Sequence, residues 1–403
     1  MAYETTEVVR ERLRSERRAR GWDIPRMARE LRDAAEQPHT MPKLASLVRN
    51  IERWESGEVT RIREEYRLLY ARAMNMTEHE LFDPDDTPAP PPEAREGDVQ
   101  AIRAMLTGFM LSDRQFGGER IRQQAAAYLG QVIEPRLRGH APDALRRDLF
   151  AISTEYVMRL AAMHLDTDRI KDALGLLGRA AGLANESGDI SLTAWVLSRR
   201  GEHEMHRAAL CANSTQRRAH LEQALAYTEG AVGVARAAPP ISRAFLTTKQ
   251  ALACSMTGDR AKTQRTLGKV WDAYDQAGST NEPDWMGAYH WGHLRHEEAH
   301  CYVNLGMGRD AANAVEEALS VRTAARPRVF SLGLLAIARA QTLEVDEACT
   351  TAHQMITLAG QISSRRVTVR LVEVLEALKP YQNQPAVADV REAATPVLEG
   401  SPA

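Results

Sequence analysis

The chain has 403 residues, 44% apolar and 26% charged, a globular balance spread over a length too great for one compact domain. Aromatics are only 5% while Ala, Leu, Arg and Glu abound, so the composition favours helix and disfavours an all-β fold. Cys211, Cys254, Cys301 and Cys349 form no CxxC pair, and no apolar run approaches the roughly 20 residues of a membrane span. These features speak against a zinc framework, a disulfide scaffold or a membrane protein, and for a reducing cytoplasm. The N-terminus is charged almost at once, so no signal peptide is expected.

The net charge of -2 is unevenly spread. From Arg10 to Arg72 sixteen Lys/Arg face eleven Asp/Glu, so that segment is +5 and the remainder about -7. A basic head on an acidic body suits a nucleic-acid-binding module joined to something else.

Thr5 or Thr6 caps a first predicted helix that runs to about Arg20 and stops at Gly21. Asp23 caps a second, with Pro25 in its first turn and Ile24, Met27, Ala28 and Leu31 at helical spacing. After a polar break from Glu36 to Thr40, a third helix is expected from Met41–Pro42 to about Glu55. Its buried stripe is Leu44, Leu47, Val48, Ile51 and Trp54. The opposite face carries Lys43, Ser46, Arg49, Asn50 and Arg53, and Gly57 ends it. A fourth helix, Arg63 to Met74, and a fifth, Thr77 to Phe82 with a Thr77/Glu80 capping box, close a bundle over residues 1–83.

The run IERWESGE, then a helix, then AMNMTEHELF, resembles the xenobiotic-response-element (XRE) class of lambda-repressor-like helix-turn-helix domains. Trp54, Glu55, Gly57, Ala73 and Leu81–Phe82 occupy the places that carry the resemblance. It departs from that class between helices two and three, where a longer segment, Asp33 to Lys43, replaces a tight turn. The resemblance implies binding to double-stranded operator DNA through the third helix. The chemistry agrees: Arg grips guanine and Asn grips adenine bidentately, and Arg49, Asn50 and Arg53 lie within one turn, with Lys43 and Ser46 nearer the helix start. Arg61 and Arg63 are candidates for phosphate contacts.

Residues 84–97, rich in Pro and acid, form a predicted linker. A connecting helical pair is expected over 98–148, Val99–Leu111 and Glu119–Leu137, with Asp113–Gly118 as the turn between them. Beyond residue 149 and up to about 395 a repeat emerges. Small residues recur at Ala161, Gly201, Ala251, Ala299 and Ala336. Twelve residues after four of these stand Ala173, Thr263, Ala311 and Ala348, and seven further on Ala180, Val270, Ala318 and Met355. The second unit has a longer turn before Ala224 and Ala231. Small residues at fixed places let paired helices approach closely and stack on the next pair.

This pattern resembles degenerate tetratricopeptide (TPR) repeats. The whole chain resembles a set of actinobacterial transcriptional regulators with an XRE head and TPR-like body. The implied fold is all-α, a helix-turn-helix bundle followed by a TPR-like α-solenoid. In the repeat register the groove-facing positions include Trp195, Phe245, Thr248, His293, His296, His300 and Phe330, with Trp285 and Tyr289 beside them. That mixture of aromatics and imidazoles suits a small-molecule or peptide effector. A homodimer is expected because operators are commonly palindromic.

His296-Glu297-Glu298-Ala299-His300 also fits the HExxH pattern of zinc peptidases. Ala299 is the small residue of a repeat, which favours a solenoid helix over a protease cleft. No nucleophile elbow, triad or cofactor motif is evident, so no enzymatic activity and no cofactor are expected. The alternatives are a TPR scaffold whose head does not bind DNA, and a zinc hydrolase using His296, Glu297 and His300.

Overall fold

The computed structural model describes residues 3–35, 39, 41–83, 92–167, 169–277, 282–283, 286, 289–362 and 364–400, with the side chain of 120 excepted. Among these residues the chain is all-α apart from one pair of two-residue strands, and its contacts divide it into two compact units. Unit 1 is Met1–Ala104, Ala126–Val157 and Gly178–Gly188; unit 2 is Met105–Ala125, Met158–Leu177 and Asp189–Ala403.

In unit 1 the N-terminal bundle consists of α1 (Glu7–Ala19), α2 (Ile24–Asp33), α3 (Leu44–Ser56), α4 (Glu64–Met74) and α5 (Glu78–Phe82). The caps follow the sequence. Thr6 accepts from the Val9 amide, Asp23 from the Arg26 amide, and Thr77 and Glu80 form the capping box. Gly57 ends α3 at φ 82°, a left-handed conformation that glycine adopts without a Cβ clash. The core holds Leu13, Met27, Leu31, Leu47, Ile51, Trp54, Tyr70 and Phe82.

Two details differ from expectation. Lys43 is extended (φ −52°, ψ 145°), so α3 begins at Leu44 and Pro42 precedes the helix instead of opening it. A strand pair, β1 (Tyr3–Glu4) against β2 (Arg61–Ile62), lies where the sequence pattern indicates none. The pairing carries Ile62 into the core.

The connecting region contains α6 (Glu96–Phe116), α7 (Glu119–Tyr128), a π turn (Leu129–Ile133) and α8 (Glu134–Arg138). The expected turn at Asp113–Gly118 is corrected here: Asp113 to Phe116 are helical and the chain reverses only at Gly117 (φ 87°) and Gly118. No Gly or Pro stands between Leu111 and Gly117, and the Gly117 amide closes the last turn on the Asp113 carbonyl at 2.9 Å. The π turn sits just ahead of Pro135, whose missing N–H cannot continue an α-ladder.

The helices that follow are α9 (Asp143–Asp166), α10 (Ile170–Ser187), α11 (Ile190–Leu210), α12 (Ser214–Val234), α13 (Pro240–Met256), α14 (Arg260–Asp275), α15 (Trp291–Asn304), α16 (Gly308–Val321), α17 (Ala325–Gln341), α18 (Val345–Ala359), α19 (Arg365–Leu378) and α20 (Pro385–Glu399). Within unit 2 they pack as pairs, α11 with α12, α13 with α14, α15 with α16 and α17 with α18, as a solenoid of repeats requires. The repeat positions Ala224, Ala251, Val270, Ala299, Ala318, Ala336, Ala348 and Met355 are all fully buried. Gly201 shows why the position is small: a Cβ there would lie 2.7 Å from the Thr228 methyl on α12. No helix among the described residues is long and apolar enough to cross a membrane.

Candidate functional sites

Unit 1 holds the candidate nucleic-acid interface. Helix α3 buries Leu47, Ile51, Trp54 and Glu55. At 100° per residue the side chains of Ser46, Arg49 and Arg53 fall on the opposite face, Asn50 lies at its flank beside Trp54, and Lys43, which is extended, stands just before the first turn. Lys43, Ser46 and Arg49 are exposed; Asn50 and Arg53 are half-buried. Arg53 is engaged by Glu58 just beyond the helix end, Nε to carboxylate 2.8 Å. Arg61, on β2, and Arg63 are exposed, Arg63 with Glu65 at 3.8 Å.

The buried side of α3 is fixed by groups that periodicity did not single out. The Arg17 guanidinium holds both oxygens of Glu55 at 2.7 Å. It also donates to the Trp22 carbonyl at 2.7 Å, and Arg14 donates to the Glu55 carbonyl at 2.7 Å. Burial alone would lower the pKa of Arg17, but the hydrogen bond and charge of Glu55 raise it above its usual value. Trp54 packs 5.0 Å from the Tyr66 ring and 6.2 Å from Tyr70. The signal in sequence was Glu55 itself, an acid on the stripe that Ile51 and Trp54 bury.

The bundle is also seated on later helices of its own unit. Arg138 of α8 pairs with Glu16 at 2.9 Å, and Arg179 of α10 donates to the Ala19 carbonyl at 3.1 Å. A Cβ on Gly182 would lie 1.3 Å from the Gly21 carbonyl oxygen, so two backbones touch there. Beside this contact an open cleft of about 530 Å³ is lined by Arg17, Arg18, Asp23, Ile24, Pro25, Glu52, Arg146 and Glu186.

Unit 2 holds the candidate ligand face, formed by the first helix of each pair. Trp285 lies outside the described residues. Trp195, Phe245, Thr248, Tyr289 and His296 are buried, whereas His293, His300 and Phe330 are half-buried. Several of these are brought together. The Tyr289 and Thr248 hydroxyls are 2.7 Å apart, and the Tyr289 ring stands 5.3 Å from Phe245 and 5.1 Å from His293. His296 Nδ1 meets Ser331 Oγ at 3.1 Å, and His300 Nε2 lies 3.4 Å from Arg370.

The HExxH residues are committed to packing contacts. Glu297 is held by Lys249 at 2.9 Å and lies 3.5 Å from His293. Glu298 accepts from the Trp271 indole at 3.2 Å and the Tyr302 hydroxyl at 2.9 Å. Among the described residues no group of three or more His, Cys, Asp or Glu is placed to hold a metal ion. Burial pushes the His293 pKa down to about 4 and that of His300 to about 3, and drives His296 well below its usual value. The imidazoles of this face are therefore neutral at neutral pH.

The groups that charge this face lie one residue beyond the register positions. Arg159, Arg199 and Lys249 directly follow Met158, Ser198 and Thr248, which stand three residues before the small residues Ala161, Gly201 and Ala251, and Glu297 takes the same place after His296 on α15. Lys249 bridges Glu202 and Glu297, each at 2.9 Å. Burial would raise the Glu202 pKa, but Arg199 and Lys249 bring it down to about 2. Arg159 and Arg199 lie over the Trp195 ring at 5.1 and 5.8 Å. Arg326 pairs with Asp113 at 2.9 Å and Asp166 at 2.7 Å. Extending the repeat register by one residue would have found the first three.

No protein-family model, no curated protein and no solved structure matches this chain.

Proposed function

We propose that this chain is a DNA-binding transcriptional regulator of the XRE helix-turn-helix kind, whose TPR-like repeats dimerise and bind a small-molecule or peptide effector that modulates operator binding. One observation carries the reading. Helix α3 is anchored by Ile51, Trp54 and the Arg17–Glu55 pair on one face, and presents Ser46 and Arg49 to solvent on the other, with the exposed Lys43 just before its first turn. That is what base readout in a major groove requires: a rigid helix with hydrogen-bonding side chains free along one side. The exposed Arg61 and Arg63 suit phosphate contacts. The buried ladder of aromatics and charges along the first helices of unit 2 suits a sensor, because such networks exist in discrete packed arrangements that a ligand can bias.

Genome-wide mapping of bound DNA tests the proposal. It predicts a few enriched sites sharing one sequence, lost in a Lys43→Ala/Arg49→Ala double variant that still folds. Uniform recovery of DNA, or none, contradicts it.

A further inference from the structure

We propose that the first-helix face of unit 2 takes a small organic acid, its anionic group held by Arg366 and its apolar body lying against Phe330. The inference rests on the sensor reading above and names the chemistry of its ligand.

The cations of this face differ in what holds them. Arg326 and Lys249 are each held between two carboxylates, Asp113 with Asp166 and Glu202 with Glu297. Arg370 has Glu373 at 2.7 Å. Arg366, at the start of α19, makes no ion pair with the described residues. Its side chain is exposed and lies over the Phe330 ring, 5.4 Å from the centroid, while Arg326 lies over the same ring at 5.8 Å. Nearby Arg322 is buried and spends its donors on the Gly292 and Pro327 carbonyls and the Ser331 hydroxyl, so it too lacks a carboxylate. The neighbouring histidines are neutral at neutral pH. Desolvation disfavours the Arg366 charge most; Arg326 and Arg199 disfavour it further, and Asp166 and Glu202 partly offset them. An anion arriving at Arg366 gains a charge-assisted, bidentate hydrogen bond. The half-buried Phe330 edge beside it offers apolar contact for a flat ligand body. A nucleic acid would want an open basic stripe, whereas the other cations here are tied down.

Calorimetric titration of the full chain with benzoate and phenyl phosphate, against neutral benzyl alcohol, tests this. The expected result is that at least one anion binds, that benzyl alcohol binds at least roughly ten-fold more weakly, and that Arg366→Ala weakens the anion by roughly ten-fold or more while Arg366→Lys retains part of it. Arg366 is exposed, so both variants should keep the wild-type helical spectrum and melting temperature. Equal binding of the anions to Arg366→Ala, preference for benzyl alcohol, or no anion binding to the wild type overturns the proposal. Binding of a neutral hydrophobic peptide amide with no dependence on Arg366 also overturns it, and leaves the sensor reading standing. Anion binding through Arg366 that leaves operator affinity unchanged does the reverse.

Discussion

Arg17 of α1 grips Glu55 of α3 through two parallel hydrogen bonds of 2.7 Å, and both side chains are more than nine-tenths buried. The pair joins the first helix to the last turn of the helix that is proposed to enter DNA. Removing one partner leaves the other charge buried alone, which costs about 3–5 kcal/mol. Glu55→Ala should therefore lower the unfolding free energy of the N-terminal bundle by about that amount, read from denaturant titrations. A loss within about 0.5 kcal/mol, the range of ordinary surface changes, would show that the pair does not fix α3.

Arg53 and Glu58 make a second prediction, of opposite sign. Their pair is exposed, so it adds little to stability, but it occupies a side chain proposed to face DNA. Glu58→Gln should tighten DNA binding by roughly two- to ten-fold at low salt, because one repulsive carboxylate leaves and Arg53 is released. Arg49→Ala should weaken specific binding by about 1–3 kcal/mol and relax preference at one base pair. Fluorescence anisotropy with a mapped site measures both. Unchanged affinity in Arg49→Ala would remove that residue from the interface.

The histidines of α15 make unit 2 acid-sensitive. Folded His293 and His300 take up protons only near pH 4 and 3, against 6.5 for the unfolded side chain. Between those values the unfolded chain binds more protons, so stability is full above pH 6.5 and falls as the pH drops. A His293→Gln/His300→Gln variant should lose less melting temperature than the wild type on going from pH 6.5 to pH 4. Parallel curves for the two proteins would contradict the assignment.

Leu343 stands where Gly258 and Gly306 end the equivalent helices, with φ 65° against 79° and 68°. It is 73% exposed, so its side chain packs little in return. A non-glycine residue in this region is strained by about 1–2 kcal/mol, offset by about 0.5–1 kcal/mol of extra glycine entropy in the unfolded chain. Leu343→Gly should stabilise unit 2 by about 0.5–1 kcal/mol, seen as a higher melting temperature. Destabilisation would mean that Leu343 contacts something its exposure does not reveal.

Much of the helical plan was legible because it is local. Capping residues, Gly21 and Gly57 and the Leu47–Ile51–Trp54 stripe are signals within a few residues of where they act. So are the small residues of the repeat, which the close approach of paired helices demands. What was not legible is long-range. Arg17 and Glu55 are separated by 38 positions and Lys249 and Glu297 by 48, and nothing local marks them as partners. The strand pair of Tyr3–Glu4 with Arg61–Ile62 is too short to leave a pattern of alternation. Asp113 to Phe116 look like a turn by composition, yet the helix runs on because its breakers come only at Gly117 and Gly118. The first-helix face was foreseen as aromatic and imidazole-rich; its cations lie one residue away, where only the folded pairs reveal them.

The most direct test of the central claim is binding of the full chain to DNA from its own upstream region across a salt series. Tight binding is expected, its logarithm falling linearly with the logarithm of salt at a slope of about −0.9 per phosphate contacted, with a slope shallower by about 1 for Arg63→Ala. Binding that is absent at low salt, or indifferent to salt and to Arg63, would mean that α3 does not read DNA.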